Sequence, residues 1–402
     1  MDRVFTRYLL LASIVALPGM IVLMAVYFRP GGDLLEQRGY YLGLDFVNYW
    51  TGGRLALSGT VGILYDVAAY NELLQRWFAP AKEFMIFSYP PNALPLLAPV
   101  GLLPYLAALP LWLVLGTAAF FAAAMGRAPI RADLGLVAAL ALSPVLWVNL
   151  NFGQLGLFLA LLFVGALRVL PTRPVLAGIL IGLLTIKPQL GLLLPLTLVL
   201  VGAWRAFAAA AATAVLLAAL SLALYGFAPW QAWWSETVEV QWAFVSDMRS
   251  FFVTQMSSPF IALRFLGASV ESALAFQAVI ALLVIAATWA ALKGSAPWPL
   301  KATVVAFGSV LMPPYLLAYD LAIPLAALVW CLSEGTLRPS RFAAAAVGLV
   351  WAIPFALTIM LQARGIPAAP LAVMLCYGWL VAQALGWRGI GVRQPSAASI
   401  NT

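Results

Sequence analysis

The sequence predicts an all-α protein that crosses a membrane many times. Hydrophobic residues make up 64% of the 402 residues and charged residues only 9%, whereas a soluble domain is about half apolar and a quarter charged. Stretches such as 134–142 and 206–224 are apolar on nearly every helical face, as expected of helices in lipid. A membrane β-barrel would instead alternate lipid-facing and lumen-facing residues, so this pattern excludes a barrel.

The first apolar segment, residues 8–28, follows Arg3 and Arg7. Basic residues stay on the cytoplasmic side of a membrane. No small-residue cleavage site follows the segment, so we expect an uncleaved first helix that starts inside. Residues 29–90 then form a large first loop outside, and the polar and aromatic stretch 59–77 predicts a helix along the membrane interface.

Basic residues between the later apolar segments predict the rest of the topology. The residues predicted to be cytoplasmic are Arg127, Arg131, Arg168, Arg173, Arg205, Lys293, Lys301, Arg338, Arg341, Arg388 and Arg393. The predicted spans lie near 105–125, 133–150, 153–170, 174–187, 189–203, 206–227, 271–292, 299–314, 315–333, 342–362 and 369–386. With the first helix they give about 12 spans in one domain, residues 1–402, with both termini inside.

Three regions depart from regular spans. Residues 228–258 form a second outer loop. Residues 91–103 are short and broken by prolines, which favours a half-helix that enters from the outer face over a full span. The short spans on either side of Lys187 predict an irregular region there.

Charge and missing residue types narrow the chemistry. The net charge of +8 comes from scattered residues at helix ends, with no basic run interleaved with aromatics, so nucleic acid is not an expected partner. The chain has no histidine, which excludes a histidine base and a histidine-ligated metal site. We therefore expect acid–base chemistry from Asp, Glu, Lys or Tyr, without metal or cofactor.

Nearly all polar residues that interrupt the apolar segments fall on the predicted outer side. Asp45 precedes Asn48, and a helix over 44–57 would put both on one face. A carboxylate there can take a proton from an acceptor hydroxyl. The alternative is an aspartate that only caps that helix.

Lys187 lies between apolar residues and beside Pro188. A charge within a membrane is costly unless it is paired or hydrated, and the phosphate of an anionic lipid would be a suitable counter-ion. The alternative is an interfacial lysine that extends towards water. Arg264 is a second candidate phosphate ligand, or an arginine at a helix end.

Amides, hydroxyls and a carboxylate at other outer turns are candidates for sugar or acceptor contacts. Asn151 and Gln154 could equally cap helices, and Asp320 is either solvated or paired with Lys187 or Arg264. The full set of predicted sugar or acceptor ligands is Asn48, Tyr89, Asn151, Gln154, Gln255, Ser258, Tyr319 and Asp320.

Taken in order along the whole chain, these motifs resemble glycosyltransferase family 87, alpha-mannosyltransferase-like membrane enzymes of the GT-C class. The resemblance rests on Asp45-Phe46-Val47-Asn48-Tyr49-Trp50 with Leu64-Tyr65-Asp66, Tyr89-Pro90-Pro91 leading to Leu102-Leu103-Pro104, Asn151-Phe152-Gly153-Gln154, Ala177-Gly178 to Lys187-Pro188, Gln255–Pro259 and Pro313–Asp320. It implies a GT-C-type fold, a polyprenyl-phosphate-linked sugar donor, Asp45 as catalytic base, and metal-independent inverting transfer. Mannosyltransferase members often carry histidine in the segment that matches Tyr319 and Asp320, and this chain has none.

We therefore expect a hexosyltransferase, with mannose as the favoured sugar, in the bacterial inner membrane with its active site facing the periplasm. The acceptor is a lipid or a glycan. A lipid or glycan transporter or flippase is one alternative, because it also needs charges and broken helices within the membrane. An enzyme like an O-antigen ligase or polymerase is the other.

Overall fold

The computed structural model describes residues 3–27, 35, 39–78, 81–82, 84–126, 134–337 and 341–386. Within these ranges the chain is helical, and its extended pairings are the isolated bridges Leu35–Tyr41 and Met256–Leu317. The α-helices are α1 Arg3–Tyr27, α2 Phe46–Ser58, α3 Val67–Phe78, α4 Leu94–Leu97, α5 Tyr105–Met125, α6 Leu134–Ala141, α7 Pro144–Asn151, α8 Gly156–Val169, α9 Pro174–Leu183, α10 Leu194–Leu200, α11 Trp204–Tyr225, α12 Ala228–Ala232, α13 Val238–Ser246, α14 Pro259–Phe265, α15 Val270–Lys293, α16 Trp298–Leu311, α17 Ala322–Ser333, α18 Arg341–Ala352, α19 Ala356–Gln362 and α20 Ala368–Leu385. Short 3-10 helices are Val61–Tyr65, Pro91–Ala93, Ala98–Leu102, Leu184–Ile186, Pro188–Gly191, Phe251–Gln255 and Ala318–Leu321, and Trp233–Thr237 is a π-helical turn.

Six helical segments in the described part of the chain are long and apolar enough to cross a membrane. They are Val4–Val22, Tyr105–Met125, Leu134–Asn151, Trp204–Tyr225, Val270–Lys293 and Ala368–Leu385. The all-α prediction is therefore confirmed for the described residues, and these six segments are consistent with a membrane protein. The bent pair of α18 and α19, which meet at 84°, could be a seventh span.

Five shorter apolar helices occupy the remaining predicted spans: Gly156–Val169, Pro174–Ile186, Pro188–Leu200, Trp298–Leu311 and Ala318–Ser333. The total of 12 spans therefore stays a prediction. The predicted cytoplasmic residues Arg127, Arg131, Arg338, Arg388 and Arg393 lie outside the described residues. The irregular region expected near Lys187 is present, since two 3-10 turns replace regular α-helix on either side of it.

The centre of the bundle is α17. Every residue from Ala322 to Leu332 is buried, and α17 packs against α5, α8 and α16. By contrast, α11 and α15 expose large apolar side chains such as Val215 and Leu282, as expected of helices that face lipid.

The described part of the predicted first loop, residues 29–90, contains the amphipathic helix α3. Its buried residues Tyr70, Asn71, Leu74 and Phe78 recur at helical spacing on one face. Residues 91–102 follow as three short helical pieces. Twelve helical residues extend over roughly 18 Å, too short for a hydrocarbon core of about 30 Å, so the geometry favours the half-helix.

Helix α2 touches the 91–102 segment through glycine. A Cβ added to Gly53 would lie 2.4 Å from the carbonyl oxygen of Leu97, and one added to Gly101 would lie 2.4 Å from the carbonyl carbon of Gly53. No side chain fits between these backbones, so the middle of α2 is held against the segment that follows Tyr89.

Candidate active site

A cavity of about 800 Å³ lies between the first loop and the segment 228–258. Its wall is formed by residues near Asp45, by the stretch 84–90, and by the turns around Gln154, Lys187 and Tyr319. The segment 228–258 completes the wall with residues that include Trp233 and Gln255. Residues from six parts of the sequence thus meet at one cavity.

Seven of the eleven predicted site residues border this cavity: Asp45, Asn48, Tyr89, Gln154, Lys187, Gln255 and Tyr319. The structure does not bring Asn151, Ser258, Arg264 or Asp320 to the cavity wall. Asp320 nevertheless contacts the site through Lys187.

Asp45 occupies the residue position before α2, but its side chain makes no capping hydrogen bond. The backbone N–H groups of Phe46 and Val47 donate instead to the carbonyls of Gly43 and Leu44. The preceding turn therefore satisfies the start of the helix, and the carboxylate is left to other contacts. The alternative prediction, in which the Asp45 side chain only caps the helix, is therefore wrong.

The Asp45 carboxylate is contacted by Gln154. The side-chain amide of Gln154 donates to Oδ2 of Asp45 at 2.5 Å. Burial raises the pKa of Asp45 from 3.8 to about 6, while this hydrogen bond and the charge of Lys187 act in the opposite direction. Asp45 is therefore ionised above about pH 6 and can accept a proton near neutral pH.

A close backbone contact brings Gln154 to Asp45. Gly153 has φ of +59°, and a Cβ added to it would lie 2.6 Å from both the carbonyl oxygen of Gly43 and the Cβ of Phe46. Trp112 also donates from Nε1 to the carbonyl of Gly153 at 2.9 Å. Glycine is required here both by its backbone angle and by the lack of space.

Tyr49 was not predicted as a site residue, yet it joins Gln154 to Tyr89. Its hydroxyl donates to Oε1 of Gln154 at 2.8 Å and lies 2.6 Å from the hydroxyl of Tyr89. Its position four residues after Asp45 in a predicted helix was the available signal.

Lys187 and Asp320 form a buried ion pair. Nζ of Lys187 lies 2.5 Å from Oδ1 of Asp320, and the two residues are 6% and 1% exposed. The ammonium also lies 4.8 Å from the centre of the Tyr319 ring, and Asp320 accepts from the backbone N–H of Leu317. Of the two expectations for Asp320, the structure shows pairing with Lys187.

Four other predicted site residues differ in their hydrogen bonds. Asn48 accepts from the hydroxyl of Tyr70 at 2.6 Å. Ser258 caps α14 and donates to the carbonyl of Pro314. Arg264 donates to the carbonyls of Ser246 and Ala268, which corresponds to the helix-end alternative. Asn151 is fully buried and neither polar atom of its side chain has a hydrogen-bond partner in the described chain.

The described residues contain no group of three or more His, Cys, Asp or Glu side chains placed to hold a metal ion. Of the residues that the structure describes, the charged ones at the cavity are Asp45 and Lys187, with Asp320 behind the lysine. This arrangement can take up a proton at one point and offset a negative charge at another.

The model of glycosyltransferase family 87 matches residues 87–317, which is more than half of the chain. The match includes Tyr89, Gln154, Lys187 and Gln255, and it begins after Asp45. No curated protein and no solved structure matches the chain. With its membrane-spanning helices, the chain belongs to glycosyltransferase family 87 and is a membrane glycosyltransferase.

Proposed function

We propose that the protein transfers a hexose, with mannose favoured, from a polyprenyl-phosphate-linked donor to a hydroxyl of a lipid or glycan. The reaction takes place on the periplasmic face of the bacterial inner membrane. One observation carries the proposal: the Asp45 carboxylate, free of capping bonds, and the buried Lys187 ammonium border the same cavity.

In this mechanism Asp45 takes the proton of the acceptor hydroxyl. The hydroxyl oxygen forms a bond to the anomeric carbon of the donor, and the bond from that carbon to the phosphate oxygen breaks. Configuration at that carbon inverts, without a metal ion. The pKa of about 6 supports the role of Asp45, because a base is most effective when its pKa lies near the working pH.

Lys187 offsets the charge that develops on the leaving phosphate. A lysine ammonium has three N–H donors, and one of them is directed at Asp320. Two donors remain for phosphate oxygens, so Lys187 can bind the donor without leaving Asp320. Asp320 then acts by holding the ammonium at the cavity wall.

The remaining cavity residues suit the sugar and the lipid. Asn48, Tyr89, Gln154, Gln255 and Tyr319 supply amides and hydroxyls for sugar or acceptor hydroxyls. Aromatic side chains such as Trp233, Trp242 and Phe252 add apolar wall, and the 91–102 segment shapes the groove for the polyprenyl chain.

Asp45→Asn tests the proposal. Asparagine keeps the shape but cannot accept the proton, so the rate of sugar transfer should fall by about 10²–10⁴-fold. Expression, melting temperature and donor binding should stay near wild type. The assay uses purified protein with radiolabelled polyprenyl-phosphate mannose, and it follows label in product separately from label carried across the membrane.

Asp66→Asn is the matched control. Asp66 lies in the same loop and does cap a helix, since its Oδ1 accepts from the backbone N–H groups of Ala68 and Ala69. Asparagine caps about as well as aspartate, so this variant should keep its activity. Normal turnover by Asp45→Asn would exclude Asp45 as the base and leave Asp66 or Asp320. Label carried across the membrane without a product would favour the transporter.

A further inference from the structure

We infer that Tyr49 is a positioning residue for the transfer reaction: its hydroxyl fixes the direction of the Gln154 amide and so guarantees Asp45 a hydrogen-bond donor. The inference rests on the proposed function, in which Asp45 is the base. Tyr49 itself is fully buried, and it acts through Gln154.

The hydrogen bonds around Tyr49 allow one consistent assignment of protons while Asp45 is ionised. A carboxylate only accepts, so Gln154 must direct its NH₂ group to Asp45 and its Oε1 to Tyr49. The single hydroxyl hydrogen of Tyr49 is then donated to Oε1. Leu155 N–H, at 3.3 Å, and the hydroxyl of Tyr89, at 2.6 Å, donate to the oxygen of Tyr49.

The ring of Tyr49 is fixed by packing as well as by hydrogen bonds. It stacks on Trp112 with ring centres 5.0 Å apart and planes 24° apart. Trp112 also holds the carbonyl of Gly153, and the Tyr49 hydroxyl accepts from Leu155 N–H. Both backbone neighbours of Gln154 are therefore tied to the same aromatic pair, which leaves the side-chain amide as the one part able to turn.

Without the Tyr49 hydroxyl, the Asp45 carboxylate is the one group left in this network that distinguishes the two ends of the Gln154 amide. The amide can then turn its oxygen towards Asp45, where two acceptors oppose each other unless the carboxyl is protonated. Loss of the hydroxyl should therefore favour the protonated form of Asp45, although Tyr49 never touches the carboxylate.

Removal of this hydroxyl changes none of the charges that act on Asp45. The positive charge is that of Lys187, whose partner is Asp320. In addition to Tyr49, four tyrosines interact electrostatically with the Asp45 carboxylate: Tyr70, Tyr89, Tyr315 and Tyr319. Tyrosine has an ordinary pKa of about 10, so these side chains are neutral at the pH values that matter here.

The test measures the titration of Asp45 directly in the full-length protein in lipid nanodiscs. The infrared carboxyl band that is lost in Asp45→Asn reports protonation of Asp45, and no acceptor substrate is required. Its midpoint in the wild type should be near pH 6. Tyr49→Phe should raise the midpoint by roughly half a unit to one unit, and Gln154→Leu by about one to two units, because a hydrogen bond to a charged group is lost.

A double variant separates positioning from general damage. If Tyr49 acts through Gln154, Tyr49→Phe should add no further shift in the Gln154→Leu background. Tyr377→Phe is the control, since Tyr377 is also buried, donates to the carbonyl of Val284 and contacts Thr288 remote from the cavity. It should lower the melting temperature at most and leave the midpoint unchanged.

The inference is overturned if Tyr49→Phe titrates like the wild type, or if its shift adds fully to that of Gln154→Leu. Failure of the proposed function has a different signature, namely normal sugar transfer by Asp45→Asn. The two outcomes are read from different variants and different measurements.

Discussion

Removal of one partner of the Lys187–Asp320 pair should destabilise the fold as well as donor binding. Lys187→Ala leaves Asp320, 1% exposed, with the backbone N–H of Leu317 as its remaining hydrogen bond. An uncompensated buried charge of this kind costs about 3–5 kcal/mol. Asp320→Asn leaves the ammonium over the Tyr319 ring, a contact of about 2 kcal/mol when desolvated. The loss should then be about 1–3 kcal/mol.

Two further variants separate stability from function. Lys187→Met combined with Asp320→Leu removes both charges, and replacement of a buried pair by apolar residues is often neutral. The double variant should therefore recover most of the melting temperature but not donor use. Lys187→Arg keeps a cation with several donors, so it should retain more donor use than Lys187→Ala.

Tryptophan fluorescence in detergent gives the melting temperature, and labelled polyprenyl-phosphate mannose gives the donor KM. Lys187→Ala should lower the melting temperature by roughly 4–6 °C. A Lys187→Ala variant with wild-type melting and KM would show that the lysine neither supports the fold nor binds donor. A double variant with wild-type KM would exclude Lys187 as the phosphate ligand while leaving its structural role.

Three other predictions concern pH, backbone and topology. Burial raises the pKa of Asp45 to about 6. Wild-type kcat/KM should therefore fall about tenfold per pH unit below pH 6 and level off above it. A flat profile from about pH 5 to 8 would contradict the role of Asp45. Gly153→Ala should reduce turnover at least about tenfold and the free energy of unfolding by at least about 1–2 kcal/mol. Gly59 also has a positive φ, +74°, but no atom lies within 4 Å of an added Cβ, so Gly59→Ala should reduce stability alone. Equal activity in both variants would refute the packing argument. A cysteine introduced at exposed Ser58 should react with a membrane-impermeant thiol reagent only from the periplasmic side, and one at Ser396 only from the cytoplasm. The native Cys331 and Cys376 are buried and should not react. Labelling at position 58 from the cytoplasm would invert the topology.

The helices were predictable because lipid requires long apolar segments. The observed bounds of α5, Tyr105–Met125, coincide with the predicted span 105–125, and the irregular turns at Lys187 follow from Pro188 beside a charge. The lengths of α8 to α10 were overestimated, since caps and prolines end a helix before its apolar stretch ends.

The candidate site was predictable in its residue types more than in its contacts. Asp45, Gln154 and Lys187 stand out because polar side chains are rare within apolar sequence. Arg264 stands out for the same reason, yet its guanidinium binds helix-end carbonyls. Tyr49 gave a weaker signal, its position four residues after Asp45, because a tyrosine among other aromatics is typical of a membrane interface.

The backbone contact between Gly53 and Gly101 determines which part of the cavity wall can move. It joins α2 to the 91–102 segment, so Asp45 and Tyr89 must move together. The segment 228–258 is attached by side chains instead: Trp233 donates to the carbonyl of Ser88 at 3.2 Å, and Trp242 is 38% exposed. Widening for a bulky acceptor would therefore occur in the segment 228–258. Exchanging that segment between family members should alter which acceptors enter and leave the sugar-transfer step itself intact.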